Sequence, residues 1–113
     1  MTAYKRGDVV LAPYPLGQES SGRKRPALVI SSEEYNQATG ELIIAQITSR
    51  ISAPPRPGDY RILNWQEAKL PRPALVRARL ATLKASQALR KLGTLTEADL
   101  RAVQEALRGV IWK

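Results

Sequence analysis

Up to Leu95, prolines, glycines and small polar residues break the apolar runs of this chain before any of them reaches helical length. Val9-Val10-Leu11-Ala12 stops at Pro13 and Pro15. Pro26-Ala27-Leu28-Val29-Ile30-Ser31 follows a polar loop from Gln18 to Lys24. Glu41–Thr48 comes next, and Asp59–Leu63 follows Ala53-Pro54-Pro55-Arg56-Pro57-Gly58, where three prolines forbid a ladder. Ala74–Arg77, Arg79–Leu83 and Arg90–Leu95 complete the series, and Glu33–Gly40 has room for a turn or a single helical turn. Short strands at this turn-rich spacing predict a mainly β fold, a small and strongly bent antiparallel barrel. The strands by themselves do not show whether it closes.

The period changes after Leu95. Thr96-Glu97-Ala98-Asp99 places a capping hydroxyl with an acid three residues on, and Leu100, Val103, Leu107, Val110 and Ile111 then recur at spacings of three and four. This predicts one C-terminal helix over about 96–111, packed by its apolar stripe against a barrel over about 5–95. A chain of 113 residues makes one domain, 1–113, and not two.

Composition removes several chemistries. There is no cysteine and no histidine, so thiol nucleophiles, disulfides and imidazole general bases are excluded. No cluster of carboxylates suggests a metal site. The net charge is +8, and it is unevenly placed. Residues 41–95 carry ten Lys or Arg against three acids, whereas 96–113 balance three against three. The cationic excess belongs to the barrel, not to the helix, and favours a polyanionic partner, nucleic acid first. The N-terminus has charges where a signal peptide needs an apolar core, and no run approaches a membrane span, so a cytoplasmic chain without a membrane partner is expected.

Gly22-Arg23-Lys24-Arg25-Pro26 puts three cations directly before an apolar strand. Pro26 fixes its own φ at the start of that strand, so Arg25 is held at the mouth of a rigid element. Thr48-Ser49-Arg50 closes the third strand. If strands two and three are antiparallel neighbours, Arg25 and Thr48 face one pocket, where a guanidinium and a hydroxyl can hold the oxygens of a phosphodiester. Thr-Ser at a strand end also serves as a plain turn cap. Arg23, Lys24, Ser49, Arg50, Arg77 and Arg79 are candidate nucleic-acid contacts around it. Tyr14 and Trp65 are candidates to stack on unpaired bases, or are packed aromatics.

In Lys5-Arg6-Gly7-Asp8-Val9-Val10, Gly22-Arg23-Lys24-Arg25-Pro26-Ala27-Leu28-Val29-Ile30-Ser31, Ile47-Thr48-Ser49 and Ala81-Thr82-Leu83, in that order, the chain resembles the PemK/MazF (Kid) family of toxin endoribonucleases over nearly its whole length. The resemblance implies an SH3-like barrel with a C-terminal helix, usually a homodimer, that cleaves single-stranded RNA without a metal or cofactor. It also implies restraint by a cognate antitoxin with an acidic tail. The family's catalytic arginine and threonine fall on Arg25 and Thr48. Glu19 is the loop acid nearest Arg25 and is a candidate general base. At Pro73-Ala74-Leu75-Val76-Arg77 the family often has a serine where this chain has Ala74, which leaves out one hydroxyl contact. The alternatives are a CcdB-like toxin on the same barrel that inhibits a protein such as DNA gyrase, in which the terminal helix decides, or a nucleic-acid-binding module without activity.

Overall fold

Strands that are apolar on both sides require a sheet that is covered twice. In β1 (Asp8–Tyr14), β2 (Arg23–Val29) and β3 (Glu41–Thr48), the consecutive residues Val9 and Val10, Ala27 to Val29, and Ile44 and Ala45 are all buried. Successive side chains point to opposite faces, so these residues divide into two cores. Val9, Leu28, Ala45 and Ile47 pack with Ile62, Leu70, Val76, Val103 and Leu107. Val10, Ala27, Val29, Leu42 and Ile44 pack on the other face with Tyr4, Leu83 and Ala88. The computed structural model describes residues 3–14 and 22–113, and at Tyr14 the backbone alone.

With β4 (Tyr60–Arg61), β5 (Leu75–Lys84) and β6 (Arg90–Thr94), the strands form one antiparallel sheet in the order β4-β5-β3-β2-β1-β6. It is a half-barrel whose C-terminal helix, α2 (Glu97–Ile111), buries Val103 and Leu107 in the first core. A second helix, α1 (Glu33–Thr39), fills the β2–β3 connection with more than the single turn expected. Its Asn36 is buried and donates to the Tyr4 carbonyl at 3.0 Å. The two edge strands are bridged by the 62–70 turn, which lies against β6 at Gly93. A Cβ there would stand 2.2 Å from the Ala68 carbonyl oxygen, so only glycine fits.

Two strand boundaries differ from expectation for one reason. Proline was expected to end the first strand and start the second, yet β1 continues through Pro13 and β2 begins three residues before Pro26. The β1–β6 ladder stops at Leu11, and the β2–β3 ladder begins at Ala27. Beyond those points β1 and β2 pair with each other alone. Leu11 turns its carbonyl toward the β6 side, where it accepts the Leu89 N–H at 2.8 Å. Pro13, two residues on, turns its missing donor to the same open edge. Pro26 does the same on the side toward β3, since Ile30, of the same parity, donates to Ile43 at 2.9 Å.

The two strands expected at 74–77 and 79–83 are one strand, β5. Gln46 pairs with Arg77 but Ala45 pairs with Leu80, which leaves Ala78 and Arg79 as extra residues in a bulge. No proline or glycine interrupts this segment, so the chain bends without breaking. The fourth strand is only two residues long.

Thr96 caps α2 as expected, accepting the Asp99 N–H at 3.2 Å. The Asp99 carboxylate crosses instead to the segment after β4, accepting the N–H groups of Leu63 (3.1 Å) and Asn64 (2.8 Å) and the Tyr60 hydroxyl. The apolar stripe then outruns its support, leaving Val110 and Ile111 each 45% exposed. Burial works to raise the Asp99 pKa, but the donors around it outweigh that and hold it below the ordinary carboxylate value. Burial and the same carboxylate push the Tyr60 phenol up to about 12.

A group with a depressed folded pKa contributes stability above its unfolded value, about 3.9, and loses it as pH falls through the folded value. Asp99→Asn is therefore expected to cost about 2–4 kcal/mol at pH 7 in urea denaturation. It should also flatten the loss of stability below about pH 4.

Candidate active site

One face of the sheet is apolar at one end and cationic at the other, and the candidate site lies beyond the boundary. On β2 the residues of this face run Arg23, Arg25, Ala27, Val29, and on β3 they run Leu42, Ile44, Gln46, Thr48. Ala27 pairs with Gln46 at the end of the β2–β3 ladder, and Arg25 and Thr48 each lie two residues beyond that rung on the same face. Across β3 the same change occurs on β5, where Ala81 stands opposite Ile44 and Arg77 opposite Gln46. The paired arm of β1 and β2 carries Arg23, Lys24 and Arg25 past the edge of the apolar core.

Together these positions line a cleft of about 580 Å³. Its walls include Arg23, Lys24, Arg25, Gln46, Thr48, Ser49, Arg50, Arg72, Ala74, Arg77 and Arg79, and no acid lines it among the described residues. The Thr48 hydroxyl oxygen accepts the Arg50 N–H at 3.2 Å, an ST turn that orients the side chain and leaves its O–H to donate. Arg25 lies exposed, with Nη1 donating to the Lys24 carbonyl at 3.0 Å.

Arg77 is held differently. Its Nε and Nη2 donate to the two Asp59 carboxylate oxygens at 3.0 and 2.9 Å, a fork-to-fork pair with side chains only 15% and 6% exposed. The Arg77 hydrogen bonds pull the Asp59 carboxyl below its usual value, against the opposing effect of burial, and Asp59 in turn raises Arg77.

The structure thus brings Arg23, Lys24, Arg25, Thr48, Ser49, Arg50, Arg77 and Arg79 to one cleft. Trp65 is elsewhere, half-buried against the core that contains Val103 and Leu107. Tyr14 stands opposite Arg23 in the β1–β2 register. Glu19 lies outside the described residues. Three cleft or near-cleft residues were missed from sequence. Arg72 is locked between Pro71 and Pro73, a signal that was available. Gln46 reads only as a polar residue in an apolar strand, and Asp59 reads as a loop acid. Among the described residues, no three His, Cys, Asp or Glu side chains gather to hold a metal, and no helix is long and apolar enough to cross a membrane.

A half-barrel with a C-terminal helix is an architecture shared with solved toxin structures. The family model for the PemK-like, MazF-like toxin of type II toxin-antitoxin systems matches residues 5–111, and the chain belongs to that family. Among solved structures, MazF from Deinococcus radiodurans is 25% identical, with 100% of both chains covered and a TM-score of 0.75. An endoribonuclease from a mycobacterial species, in complex with its cognate antitoxin, is 22% identical over 96% of this chain and 92% of that one, with a TM-score of 0.73. A MazE–MazF complex from Deinococcus radiodurans gives 20% identity over 98% and 97%, with a TM-score of 0.76. These last two show the fold alone. A search of curated proteins by sequence found no match.

So dense a cluster of cations is expected to bind short polyanions. Tripolyphosphate at a hundred times its Kd should stabilise the fold by about 2.7 kcal/mol, read as a rise in Tm by differential scanning fluorimetry. Arg25→Gln combined with Arg50→Gln should remove most of that rise. Arg101→Gln, on the exposed side of α2, should leave it unchanged.

Proposed function

We propose that this chain is the toxin of a toxin–antitoxin pair and that it cleaves single-stranded RNA at the Arg25–Thr48 cleft, selectively for sequence and without a metal. The observation that supports the reading is a cleft lined by cations to which β2 contributes Arg25 and β3 contributes Thr48.

The reaction that suits these groups is intramolecular. The ribose 2′-oxygen attacks the adjacent phosphorus, the bond from phosphorus to the 5′-oxygen breaks, and the products are a 2′,3′-cyclic phosphate and a 5′-hydroxyl. A proton leaves the 2′-hydroxyl and one is delivered to the departing oxygen. Negative charge builds on the equatorial oxygens between these events, and stabilising it is usually the largest catalytic contribution. Arg25, a fixed cation on the wall of the cleft, serves that charge. Thr48 can donate to a phosphoryl oxygen and fix the phosphate in register. Glu19 is the acid we assign to accept the 2′-hydroxyl proton. Arg23, Lys24, Arg50 and Arg79 supply attraction for the backbone without reading sequence, and Ser49 adds a hydroxyl beside them.

The same cleft would admit the acidic tail of a cognate antitoxin by charge. The working form we propose is a cytoplasmic homodimer.

The test is long single-stranded RNA incubated in EDTA with the ends mapped. Wild-type protein should leave cyclic phosphates and 5′-hydroxyls, and strands deoxy at the scissile ribose should stay whole. Arg25→Ala should lower kcat by about 10²–10³-fold, and Thr48→Val by about 10–100-fold. Arg101→Gln should cleave as wild type does. RNA left whole by folded wild-type protein, or cleavage unchanged by Arg25→Ala, would falsify the reading and return the non-enzymatic alternatives.

A further inference from the structure

We propose that Arg77 is the specificity-determining residue of this cleft. It would select a nucleobase edge with two adjacent hydrogen-bond acceptors, while Asp59 acts through it as a positioning residue. This rests on the RNA reading above, and names what that site recognises.

Arg77 stands on the cleft wall opposite Gln46, one pleat period, about 7 Å along the sheet, from the position of Thr48. That places it beside the reacting phosphate and not on it. Its side-on edge is already used, with Nε and Nη2 donating to Asp59. The guanidinium has five N–H groups in one plane. With the side-on pair taken, the end-on fork of Nη1 and the outer N–H of Nη2 offers two parallel donors on the edge away from Nε.

The carboxylate also decides what kind of ligand this fork suits. Asp59 offsets the Arg77 charge, so the pair adds little to long-range phosphate attraction, which the other cations of the cleft supply. What remains is direction. Two contacts hold the Asp59 loop in place and so restrain that direction. The Arg56 N–H donates to Asp59 Oδ2 at 2.9 Å. Gly58, at φ +88°, packs so closely that a Cβ would stand 2.9 Å from Ala78 Cβ and 2.8 Å from Val110 Cγ2.

Two fixed parallel donors match two adjacent acceptors. Guanine offers O6 and N7, and an unpaired cytosine offers O2 and N3. Adenine sets a donor beside its N7, and uracil places its N3–H between its two oxygens. The cleft should therefore prefer guanine or cytosine at the subsite beside the scissile phosphate.

The experiment is fluorescence anisotropy with 2′-O-methylated single strands, which cannot undergo the 2′-hydroxyl attack. Oligouridine strands carry one central guanosine, cytidine, adenosine or 7-deazaguanosine. Wild-type protein should bind the guanosine or the cytidine strand about fivefold or more tighter than the adenosine and all-uridine strands. Loss of the preference in the 7-deazaguanosine strand identifies guanine, and a preference for the cytidine strand identifies cytosine.

Arg77→Lys keeps the charge and an ion pair with Asp59 but loses the fork, so discrimination should vanish while oligouridine affinity stays within about twofold. Asp59→Asn should also relax discrimination, yet tighten binding to every strand, since the cleft gains a net positive charge. A merely structural Asp59 would weaken all of them. The proposal is overturned if wild-type protein shows no such preference, if Arg77→Lys keeps it, or if Arg77→Lys weakens all strands equally, as a phosphate contact would. Discrimination in binding without cleavage of unmodified RNA would sink the enzyme reading alone. Cleavage without discrimination would sink this inference alone.

Discussion

The antiparallel pairing of β2 with β3 is the constraint on which the rest of this molecule depends. It puts Leu28 and Ala45 into one core and Val29 and Ile44 into the other, so both faces of the sheet are fixed by the same ladder. A slip of one residue would turn all of these over at once. It would also send Arg25 and Thr48 to opposite faces. The hydrophobic effect therefore sets the register, and the register sets the site. The polar ends of the two strands need no interaction of their own to meet.

Around that ladder, three aspartates are drawn inward, while Glu33, Glu34 and Glu67 stay exposed. Asp8 is fully buried at the start of β1, where it accepts from the Lys5 N–H, the Thr94 hydroxyl and Lys91. Asp99 ties α2 to the segment after β4, and Asp59 ties its loop to β5. Each carboxylate joins segments distant in the chain, and each is satisfied by several donors, which is what permits its burial. The surface is left more cationic than the net charge of +8 suggests, and the cleft gathers that surplus. Stability and polyanion attraction thus come from one partition of charge.

Much of this could be read from the residues in order. The strand-length runs and the Thr96 cap follow from local rules, because turn residues, caps and period-two alternation act within a few positions. The misreadings share one physical origin. Pro13 and Pro26 look like strand boundaries because a proline lacks a donor, yet whether that matters depends on which neighbour lies on that side. β5 looks like two strands because nothing local announces a bulge. Trp65 was left open between stacking on bases and packing, since an aromatic in a loop has no local signature that separates the two, and it lies half-buried against the core.

Taken alone, the sequence determined a mainly β domain ended by one amphipathic helix, the excluded chemistries, and a cationic segment leading into Pro26. These depend on composition and on contacts between near neighbours. Only the tertiary structure decided that Asp59 would seize Arg77, that Arg72 would reach the cleft, and that Asp99 would leave its own cap for a distant turn. Those pairings join residues far apart in the chain, and their geometry exists only after the two cores have fixed the register of the sheet.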